Sequence, residues 1–574
     1  MAEPTPLLKR KTRHFLPADF TLTTWAALQP YFEKLQQRQL HSVEQLEAWL
    51  RDASELESVV SEDACWRQIK MTCDTTNATY REAFQYFCTA IQPHIQPAIH
   101  ALNQKLTDCP YTKELDQEKY FTYLRGVKSA IALFRDENVP LFSEISLLEQ
   151  QYGQITGAMT ITVRDQEYTL QQAAKFYESS DRVLREEVFR KTAARRLQDR
   201  DALDKLYTDL AHKRDQVARN AGFDNYRDYK FEELGRFDYT KEDCFDFHES
   251  VREHIVPLAR TILQRQQEKL QLPVLRPWDT EAEPEGVQPL APFQDGKELL
   301  QKAKRCFTRL RPTFGQYLET MDQMGRLDLD SRKGKAPGGY NCPLAETGVP
   351  FIFMNAAGQM KDVTTILHEG GHAIQSFLTH DLELNAFKAY PMEIAEVASM
   401  SMELFTMDHW DVFFDDPEEL RRAKLQQLER VITIFPWIAT IDQFQHWIYL
   451  HPQHTVAQRT QAWQEIQQRF STGVVDWSGL EDYHACTWQR QLHLYEVPFY
   501  YIEYGIAQLG AIGMWKQFRE NKEKALDHYT DALSLGYTVP LKELYRTANI
   551  AFDFSPAHVK ALIEFVYTEM QTLL

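Results

Sequence analysis

The sequence lacks a long apolar run. None of its segments approaches the ~20 consecutive apolar residues that a membrane-spanning helix requires. The N-terminal segment, Met-Ala-Glu-Pro-Thr-Pro-Leu-Leu-Lys-Arg-Lys, also lacks the apolar centre of a signal peptide. The sequence therefore predicts a cytoplasmic protein that has no membrane as a partner.

Positive charge is in deficit. The chain has 64 Lys and Arg residues against 82 Asp and Glu residues, which gives a formal net charge of −18. Such a protein repels nucleic-acid phosphates and anionic lipid surfaces, so the sequence predicts neither as a partner. The remaining composition, 43% hydrophobic and 25% charged, is typical of a soluble globular protein.

Two classes of motif are missing as well. The glycine-rich segment 332–339 has no Gly-Lys-Ser/Thr ending, which argues against a phosphate-binding loop. The cysteines occur without Cys-x-x-Cys spacing, and in a chain of this length we interpret them as reduced, mostly structural thiols. They are Cys65, Cys73, Cys88, Cys109, Cys244, Cys306, Cys342 and Cys486.

The length of the chain, 574 residues, exceeds what one hydrophobic core usually serves, so we expect at least two domains or lobes. Successive amphipathic patterns over residues 20–150 predict an N-terminal helical region over 1–160. Residues 161–574 would form a second region, in which the Pro- and Glu-rich segment 272–297 is an ordered loop or linker. A small β-hairpin is expected over 159–170.

The strongest motif is His368-Glu-x-x-His. The segment 362–380 around it has apolar residues at helical spacing, and Asp362 suits an N-cap. At about 100° per residue, His368 and His372 project roughly 150° from the apolar stripe and could hold one metal ion. Glu369, about 100° from His368, can reach a metal-bound water without ligating the metal. This pattern is a zinc-protease signature.

A solvated helix can carry this short pattern by chance, but two features argue against that interpretation. The apolar stripe opposite the histidines anchors the helix in a core. Gly370 and Gly371 each cost about 1 kcal/mol relative to alanine inside a helix. That cost makes sense where another element packs very closely against the helix.

A short apolar run, Val349-Pro-Phe-Ile-Phe-Met, precedes the motif and predicts a β-strand. As an edge strand beside a zinc cleft, it could pair with the backbone of a peptide. A strand in a small sheet without any substrate role is the alternative.

A catalytic zinc site uses three protein ligands and a water. The next acidic residues lie in the apolar helical segment 391–405, at Glu393, Glu396 and Glu403. Buried carboxylates are costly without partners, so a metal or an imidazole is the natural explanation, and a solvated face is the alternative. Glu396, Ser399 and Glu403 share one face, and Glu393 points about 60° away. Spacing alone leaves Glu393 and Glu396 both open as the third ligand.

A cluster of aromatic residues follows at 491–507. Pro498 fits the first turn of a helix, from which Tyr501 and Tyr504 would project on one face, with His493 just before them. Phenol and imidazole groups are neutral donors that can stabilise an oxyanion. Such residues belong to a core more often than to an active site, but a neighbouring metal site favours the catalytic interpretation.

Together these patterns resemble the thimet oligopeptidase and oligoendopeptidase F family of zinc metallopeptidases, in particular its bacterial oligoendopeptidase branch. The resemblance extends over residues 160–565 and is weaker before them. It rests on Asp181-Arg-Val-Leu-Arg, the segment from Arg214 to Tyr226, Lys333-Gly-Lys-Ala-Pro-Gly-Gly, Pro350-Phe-Ile-Phe, His368-Glu-Gly-Gly-His, Ala395-Glu-Val-Ala-Ser, and His493 with Pro498-Phe-Tyr-Tyr-Ile-Glu-Tyr.

The resemblance implies a mostly α fold, with two helical lobes around a deep substrate channel and a small β-sheet near the zinc site. It implies one zinc ion per chain. The residues that it implies are the zinc ligands His368, His372 and Glu396, the general base Glu369, the transition-state donors His493 and Tyr504, and the substrate contacts Tyr501 and Tyr500.

The function that follows is that of a zinc-dependent endopeptidase. It would hydrolyse internal bonds of short oligopeptides by attack of a zinc-bound water, with Glu369 as the general base. One alternative is a carboxypeptidase or dipeptidase on the same scaffold with a blocked channel. The other is an inactive peptide-binding relative, against which the intact Glu369 argues, because binding alone needs no base.

Overall fold

The computed structural model describes residues 11–574. Residues 1–10, which belong to the segment where the sequence predicts no signal peptide, lie outside the described residues. Most of the described chain is helical, so the prediction of a mostly α fold is confirmed. None of the described helices is long and apolar enough to cross a bilayer.

The N-terminal part begins with side-chain caps. Thr24, Ser42 and Asn77 each accept a hydrogen bond from a backbone N–H in the first turn of a helix. Apolar side chains from residues 15–127 form one core. The helices here are α1 (Trp25–Gln37), α2 (Val43–Cys73), α3 (Ala78–Tyr86), α4 (Gln92–Asp108), α5 (Phe121–Leu133) and α6 (Asn138–Gly157).

A second, larger core runs from Leu133 to Met570 and includes side chains of α6. The division predicted at residue 160 stays a prediction. The next helices are α7 (Leu170–Ala173), α8 (Arg182–Gln198), α9 (Arg200–Asn220), α10 (Tyr226–Glu233), α11 (Lys241–Ser250), α12 (Val256–Lys269), α13 (Gly296–Leu310) and α14 (Pro312–Gln323). The remaining helices are α15 (Met360–Leu378), α16 (Asn385–Lys388), α17 (Met392–Phe405), α18 (Pro417–Leu450), α19 (Val456–Arg469), α20 (Glu481–His484), α21 (Leu492–Glu496), α22 (Tyr501–Glu520), α23 (Lys522–Ser534), α24 (Leu541–Thr547) and α25 (Pro556–Gln571).

Two small sheets complete the described fold. The predicted hairpin is present as β1 (Thr160–Val163) and β2 (Gln166–Thr169), which pair antiparallel. The second sheet has three strands in the order β3-β5-β4. Its strands are β3 (Leu327–Asp330), β4 (Tyr340–Cys342) and β5 (Phe351–Ala356).

The strand predicted before the metal helix is β5. Of the two interpretations left open, that of an edge strand is wrong, because β5 is the central strand of its sheet. It pairs parallel with β3 on one side and antiparallel with β4 on the other, so its own backbone groups are already bonded. Its side chains are almost all buried, which is typical of a central strand. The edge strand on the side of α15 is β4, where Asn341 Nδ2 donates to the Glu369 carbonyl oxygen over 3.2 Å.

Helix α2 is fastened to β4 and its flanking loops. Cys65 of α2 forms a disulfide with Cys342 of β4, so the prediction of reduced thiols is wrong for this pair. About two helix turns further on, the hydroxyls of Thr72 and Tyr340 lie 2.6 Å apart. A pairing between residues so distant in sequence has no local spacing signal, which is why Cys-x-x-Cys counting missed it. The other six cysteines are free thiols.

The loop covers residues 272–295, with a single 3-10 turn at Pro277–Asp279, because helix α13 already begins at Gly296. The Asp279 carboxylate is fully buried and accepts hydrogen bonds from Arg182 and Arg185 of α8. These ion pairs hold the loop in place, as expected for an ordered connection.

Candidate metal centre and active site

Helix α15 carries the His-Glu-x-x-His motif, and it begins earlier than the sequence predicted. Its N-cap is Gln359 rather than Asp362. The Asp362 carboxylate instead accepts hydrogen bonds from the N–H groups of Ala357 and Gln359, over 2.8 and 2.9 Å. This reciprocal cap satisfies free donors at the helix start.

Helices α15 and α17 touch backbone to backbone at Gly371. A Cβ added there would lie 2.6 Å from both the Ala398 carbonyl oxygen and the Ser399 Cα. A Cβ on Gly370 would lie 2.5 Å from the Phe307 ring. The close packing inferred from the two glycines is confirmed. It brings the acidic face of α17 against the histidine face of α15.

This contact supports a stability prediction. Gly371→Ala should push α17 away from α15 and destabilise the protein by about 1–3 kcal/mol, as overpacking does. It should also weaken metal binding, because the two ligand faces separate. The check is a denaturant melt beside a metal analysis.

Gly153→Ala is the matched control, because Gly153 lies inside α6 and an added Cβ there meets no atom within 4 Å. Alanine should stabilise that helix by up to about 1 kcal/mol. A Gly371→Ala protein as stable and as metal-rich as wild type would contradict the close-packing argument.

Two imidazoles and one carboxylate converge at this contact. The Nε2 atoms of His368 and His372 lie 3.2 and 3.6 Å from Glu396 Oε2. The ligand atoms of the three residues all lie within 4.8 Å of one another, a spacing that could hold one metal ion. The side chains of His368 and His372 are 18% and 13% exposed, so the cluster can be reached from solvent.

The two glutamates left open by the sequence point in different directions. Glu396 faces the histidines, while the carboxylate of Glu393 accepts a hydrogen bond from the Tyr239 hydroxyl over 2.6 Å. Glu393 therefore has a protein donor of its own, away from the imidazoles. The structure brings Glu396 together with His368 and His372, and it leaves Glu393 outside that group.

Outer partners orient the cluster, and sequence reasoning assigned none of them. His368 Nδ1 donates to Glu403 Oε1 over 2.8 Å, which leaves Nε2 facing Glu396. The two oxygens of Glu396 accept hydrogen bonds from the Tyr500 and Ser399 hydroxyls over 2.6 and 2.9 Å. Histidine ligands in metal sites commonly donate their second N–H to a carboxylate in this way. The helical spacing from Glu396 to Glu403 was the available signal.

Burial and charge set the ionisation of the cluster. Burial lowers the pKa of His368, but hydrogen bonds to Glu396 and Glu403 outweigh burial and raise this pKa well above its ordinary value. Burial lowers the pKa of His372 to about 4. Burial alone would raise the pKa of Glu396, but attraction to the two imidazoles lowers it to about 2. Glu396 is therefore a carboxylate at neutral pH and contributes negative charge to the cluster.

Glu369 lies beside the cluster without a fixed partner. Its side chain is buried, and Oε2 has no hydrogen-bond partner among the described residues. Burial raises the pKa of Glu369 to about 7. A buried carboxylate oxygen without a donor is costly in a purely structural role, so it marks a group that is free to handle a proton.

His493 and Tyr504 meet, but they do not lie on one helix. His493 lies on the short helix α21, and Phe499 has a positive φ of 66°, so α22 begins only at Tyr501. The prediction that Pro498 starts this helix is wrong, because the turn at Phe499 separates the two. His493 Nε2 nevertheless lies 3.2 Å from the Tyr504 hydroxyl.

A short chain of hydrogen bonds fixes the tautomer of His493. The Trp437 indole N–H can only donate, and it donates to Gln491 Oε1 over 2.9 Å. The Gln491 amide nitrogen therefore faces His493 Nδ1, at 2.6 Å, and donates to it. The ring proton then lies on Nε2, towards Tyr504. Burial lowers the pKa of His493 to about 4, so the imidazole is a neutral donor.

The other two tyrosines differ from each other. The Tyr500 hydroxyl is bonded to Glu396, a contact that the sequence did not predict. Tyr501 packs edge-on against the rings of His493 and Tyr504, with centroids 4.9 and 5.4 Å apart. Tyr501 is 9% exposed. It lies next to the donor pair, at the margin of the core.

Comparisons with known proteins identify the family of the chain. The profile of peptidase family M3 matches residues 176–563, and that of the peptidase M3 N-terminal domain matches residues 15–134. The chain is 24% identical to an oligoendopeptidase F homolog of Borreliella burgdorferi over 37% of this chain, and 24% identical to oligopeptidase PepF of Bacillus subtilis over 43%. These matches span only 36% and 37% of the two relatives' own lengths.

Solved structures match over nearly the whole chain. A crystal structure assigned as an oligoendopeptidase F superposes with a TM-score of 0.92 and 27% identity, covering 97% of this chain and 98% of that one. PZ peptidase A with an inhibitor gives the same TM-score and identity over 97% and 99%. Since the family profile covers well over half of the sequence, the chain belongs to peptidase family M3.

Proposed function

We propose that the protein is a zinc-dependent endopeptidase that hydrolyses internal bonds of short oligopeptides. The observation that carries the proposal is the convergence of His368, His372 and Glu396 beside Glu369, whose Oε2 has no partner among the described residues. Two imidazole nitrogens and one carboxylate oxygen are a donor set that suits catalytic zinc. The hydrogen bond from His368 to Glu403 supports this fit, because it turns the free ring nitrogen towards the cluster.

We propose His368, His372 and Glu396 as the zinc ligands. Each chain would hold one zinc ion at this site. When bound, zinc supplies a Lewis acid and lowers the pKa of water to about 7. Glu403 and Tyr500 would hold His368 and Glu396 in place, since each is hydrogen-bonded to one of them.

Glu369 would be the general base. Its carboxylate takes a proton from the attacking water and then gives it to the departing amine. The buried setting suits both steps, because burial raises the pKa of Glu369 to about 7, where it can gain and lose a proton near neutrality.

His493 and Tyr504 would stabilise the oxyanion. The Nε2–H of His493 and the hydroxyl of Tyr504 are neutral donors that meet at 3.2 Å. Donors held rigidly before the reaction cost no reorganisation when the negative charge develops. The bonds from Trp437 through Gln491 provide that rigidity for the imidazole.

The substrate backbone would pair with strand β4. This strand forms one edge of the three-stranded sheet, and Asn341 contacts the backbone of Glu369. The position of a Cβ on Gly339, next to β4, is 3.8 Å from Glu369 Oε1. An extended peptide added to this edge would bring its carbonyl groups past the base. Tyr501 would contact the same peptide from α22.

A channel between the N-terminal helices and the peptidase region would limit substrate size. A cavity of about 500 Å³ lies between them, lined by Gln96 and Phe134 on one side and by Pro391 and Met392 at the start of α17 on the other. It does not include the two histidines, so it would be part of an approach rather than the site itself. Unstructured peptides fit such a passage, and folded proteins do not.

The direct test is digestion of a mixed peptide library, read by mass spectrometry with and without a chelator. We expect internal cleavage of peptides that the chelator abolishes, and no cleavage of a stably folded protein. Products shortened only from the C-terminus would favour a carboxypeptidase. Absence of any cleavage would favour an inactive peptide-binding protein.

Tyr504→Phe tests the oxyanion role. The change removes one oxygen and keeps the ring packing, so kcat should fall by about 10²–10³ while the melting temperature and metal content stay unchanged. Tyr501→Phe is the matched comparison and should act more on KM than on kcat. A normal kcat for Tyr504→Phe, or an activity loss that only follows lost stability, would assign Tyr504 to the core instead.

A further inference from the structure

A second pair of helices repeats the spacing of the histidine motif. Cys244 and His248 lie four residues apart on α11, and Asp442 and His446 lie four residues apart on α18. Residues at this spacing share one helix face. The two faces meet inside the larger core.

The side chains form a compact group. Cys244, Asp442 and His446 each offer a ligand atom, and these atoms all lie within 4.8 Å of one another. The three residues are 1%, 0% and 3% exposed. His248 Nε2 lies 2.9 Å from Asp442 Oδ2, on the outer side of the group. Thiolate, carboxylate and imidazole are all ligands of zinc in proteins.

Several polar atoms of the group have no hydrogen bond. Within residues 11–574, His446 Nδ1 and Asp442 Oδ1 find no hydrogen-bond partner. His446 Nε2 lies 3.2 Å from Asp442 Oδ2 and is paired with it, so Nδ1 is the ring nitrogen without a partner. A buried imidazole nitrogen and a buried carboxylate oxygen that lack partners are costly, and a bound cation would relieve the cost.

The surroundings are aromatic. The His446 ring lies 4.9 Å from Phe245 and 5.3 Å from Phe499, measured between ring centroids. Apolar rings of this kind lower the local dielectric constant, which strengthens the bonds of a metal ion to charged ligands.

We infer that Cys244, Asp442 and His446 form a second metal site, which binds a divalent cation of the zinc type, with His248 holding the Asp442 carboxylate in place. The thiolate selects against hard cations such as magnesium and calcium. Thiolate and carboxylate together carry two negative charges, which balance the two positive charges of the ion. On binding, the Cys244 S–H proton leaves to solvent and the sulfur lone pair forms the metal bond.

Position assigns this site a structural role. Phe499, whose ring contacts His446, has its N–H bonded to Gln445 Oε1 over 2.6 Å and adopts a φ of 66°. That strained turn is followed directly by Tyr500 and Tyr501 at the start of α22. A metal between α11 and α18 would brace the turn from behind. The inference does not depend on the proposed peptidase activity.

Cobalt substitution gives the first test. The cluster of His368, His372 and Glu396 has no sulfur, so thiolate-to-cobalt charge-transfer absorption in the near ultraviolet can come only from a cysteine site. His372→Ala, refolded or dialysed with cobalt, should show that absorption, and His372→Ala with Cys244→Ser should lose it. A spectrum without the band in His372→Ala would overturn the inference.

Metal content gives the second test. Wild type dialysed with zinc should hold one ion more per chain than Cys244→Ser or His446→Gln. Cys306→Ser is the matched control, because Cys306 is a fully buried free thiol outside the group, and it should match wild type. If both cluster variants fold and keep the wild-type content, the site does not exist. If neither folds, the cobalt spectrum of His372→Ala, with the cluster intact, still decides.

Discussion

Glu369→Gln should stop peptide hydrolysis and leave the fold and the metal content unchanged. Glutamine keeps the size of the side chain and removes its ability to accept a proton. General-base catalysis contributes about 10²–10⁴ to rate, so kcat should fall by that factor. Removing a buried charge should not lower stability, because burying a carboxylate without donors is itself costly. Steady-state kinetics, a melting curve and a metal analysis check the three parts.

Glu369→Asp is the matched variant. It keeps the carboxylate but shortens its reach, so part of the lost activity should return. Peptide affinity should survive in both variants, because neither changes the proposed metal ligands or the edge of β4. Turnover close to wild type in Glu369→Gln would show that another group takes the proton.

The largest effect should come from Glu396→Gln, which we expect to abolish activity and lower the metal content by about one ion per chain. The amide has no charge to balance the cation. Its nitrogen would also face the hydroxyl of Tyr500 or Ser399, each of which now donates to this side chain. Metal analysis after dialysis, beside peptide hydrolysis, measures both losses.

Glu393→Gln is the control for this prediction, since Glu393 is buried on the same helix and differs only in direction. Its amide oxygen can still accept from Tyr239, so the metal content should match wild type. Loss of the ion in Glu393→Gln with retention in Glu396→Gln would reverse our choice of the third ligand.

The sequence predicted what depends on local spacing. One helix carries His368, Glu369 and His372. The spacing of its apolar residues alone predicted which face packs on the core and which face presents the histidines. Gly371 predicted a closely packed neighbour, because a glycine inside a helix lowers helix stability unless another element needs the space. Spacing also limited the third ligand to Glu393 or Glu396, which lie one turn apart.

Features that depend on distant segments were not predictable in the same way. The choice between Glu393 and Glu396 depends on Tyr239, more than 150 residues earlier. The hydroxyl of Tyr500 could not be assigned to Glu396 from its own helix. Cys244 and Asp442 each have a partner four residues away, but nothing local shows that the two faces meet.

Strand order was a further limit. The apolar run identified β5, but it did not show which strands pair with it. Neither neighbour is adjacent through a tight hairpin: β3 pairs with β5 in parallel, and β4 has only three residues. The edge strand is therefore β4, and its three residues are too few to show the alternation of apolar and polar residues that predicts a strand.

The attachment of α2 to β4 has a mechanical consequence. Besides the Cys65–Cys342 bond, the Glu62 carboxylate accepts hydrogen bonds from the N–H groups of Glu346 and Thr347 just after β4. We therefore expect α2, β4 and the loop after β4 to move as one rigid unit. If the predicted lobes opened to admit a peptide, the hinge would have to lie elsewhere, and an outward movement of α2 would draw β4 away from Glu369. Opening the proposed channel would then separate β4 from Glu369, so the proposed peptide-binding edge would be incomplete. Closing the channel would bring β4 and Glu369 together again, with the peptide bound between them.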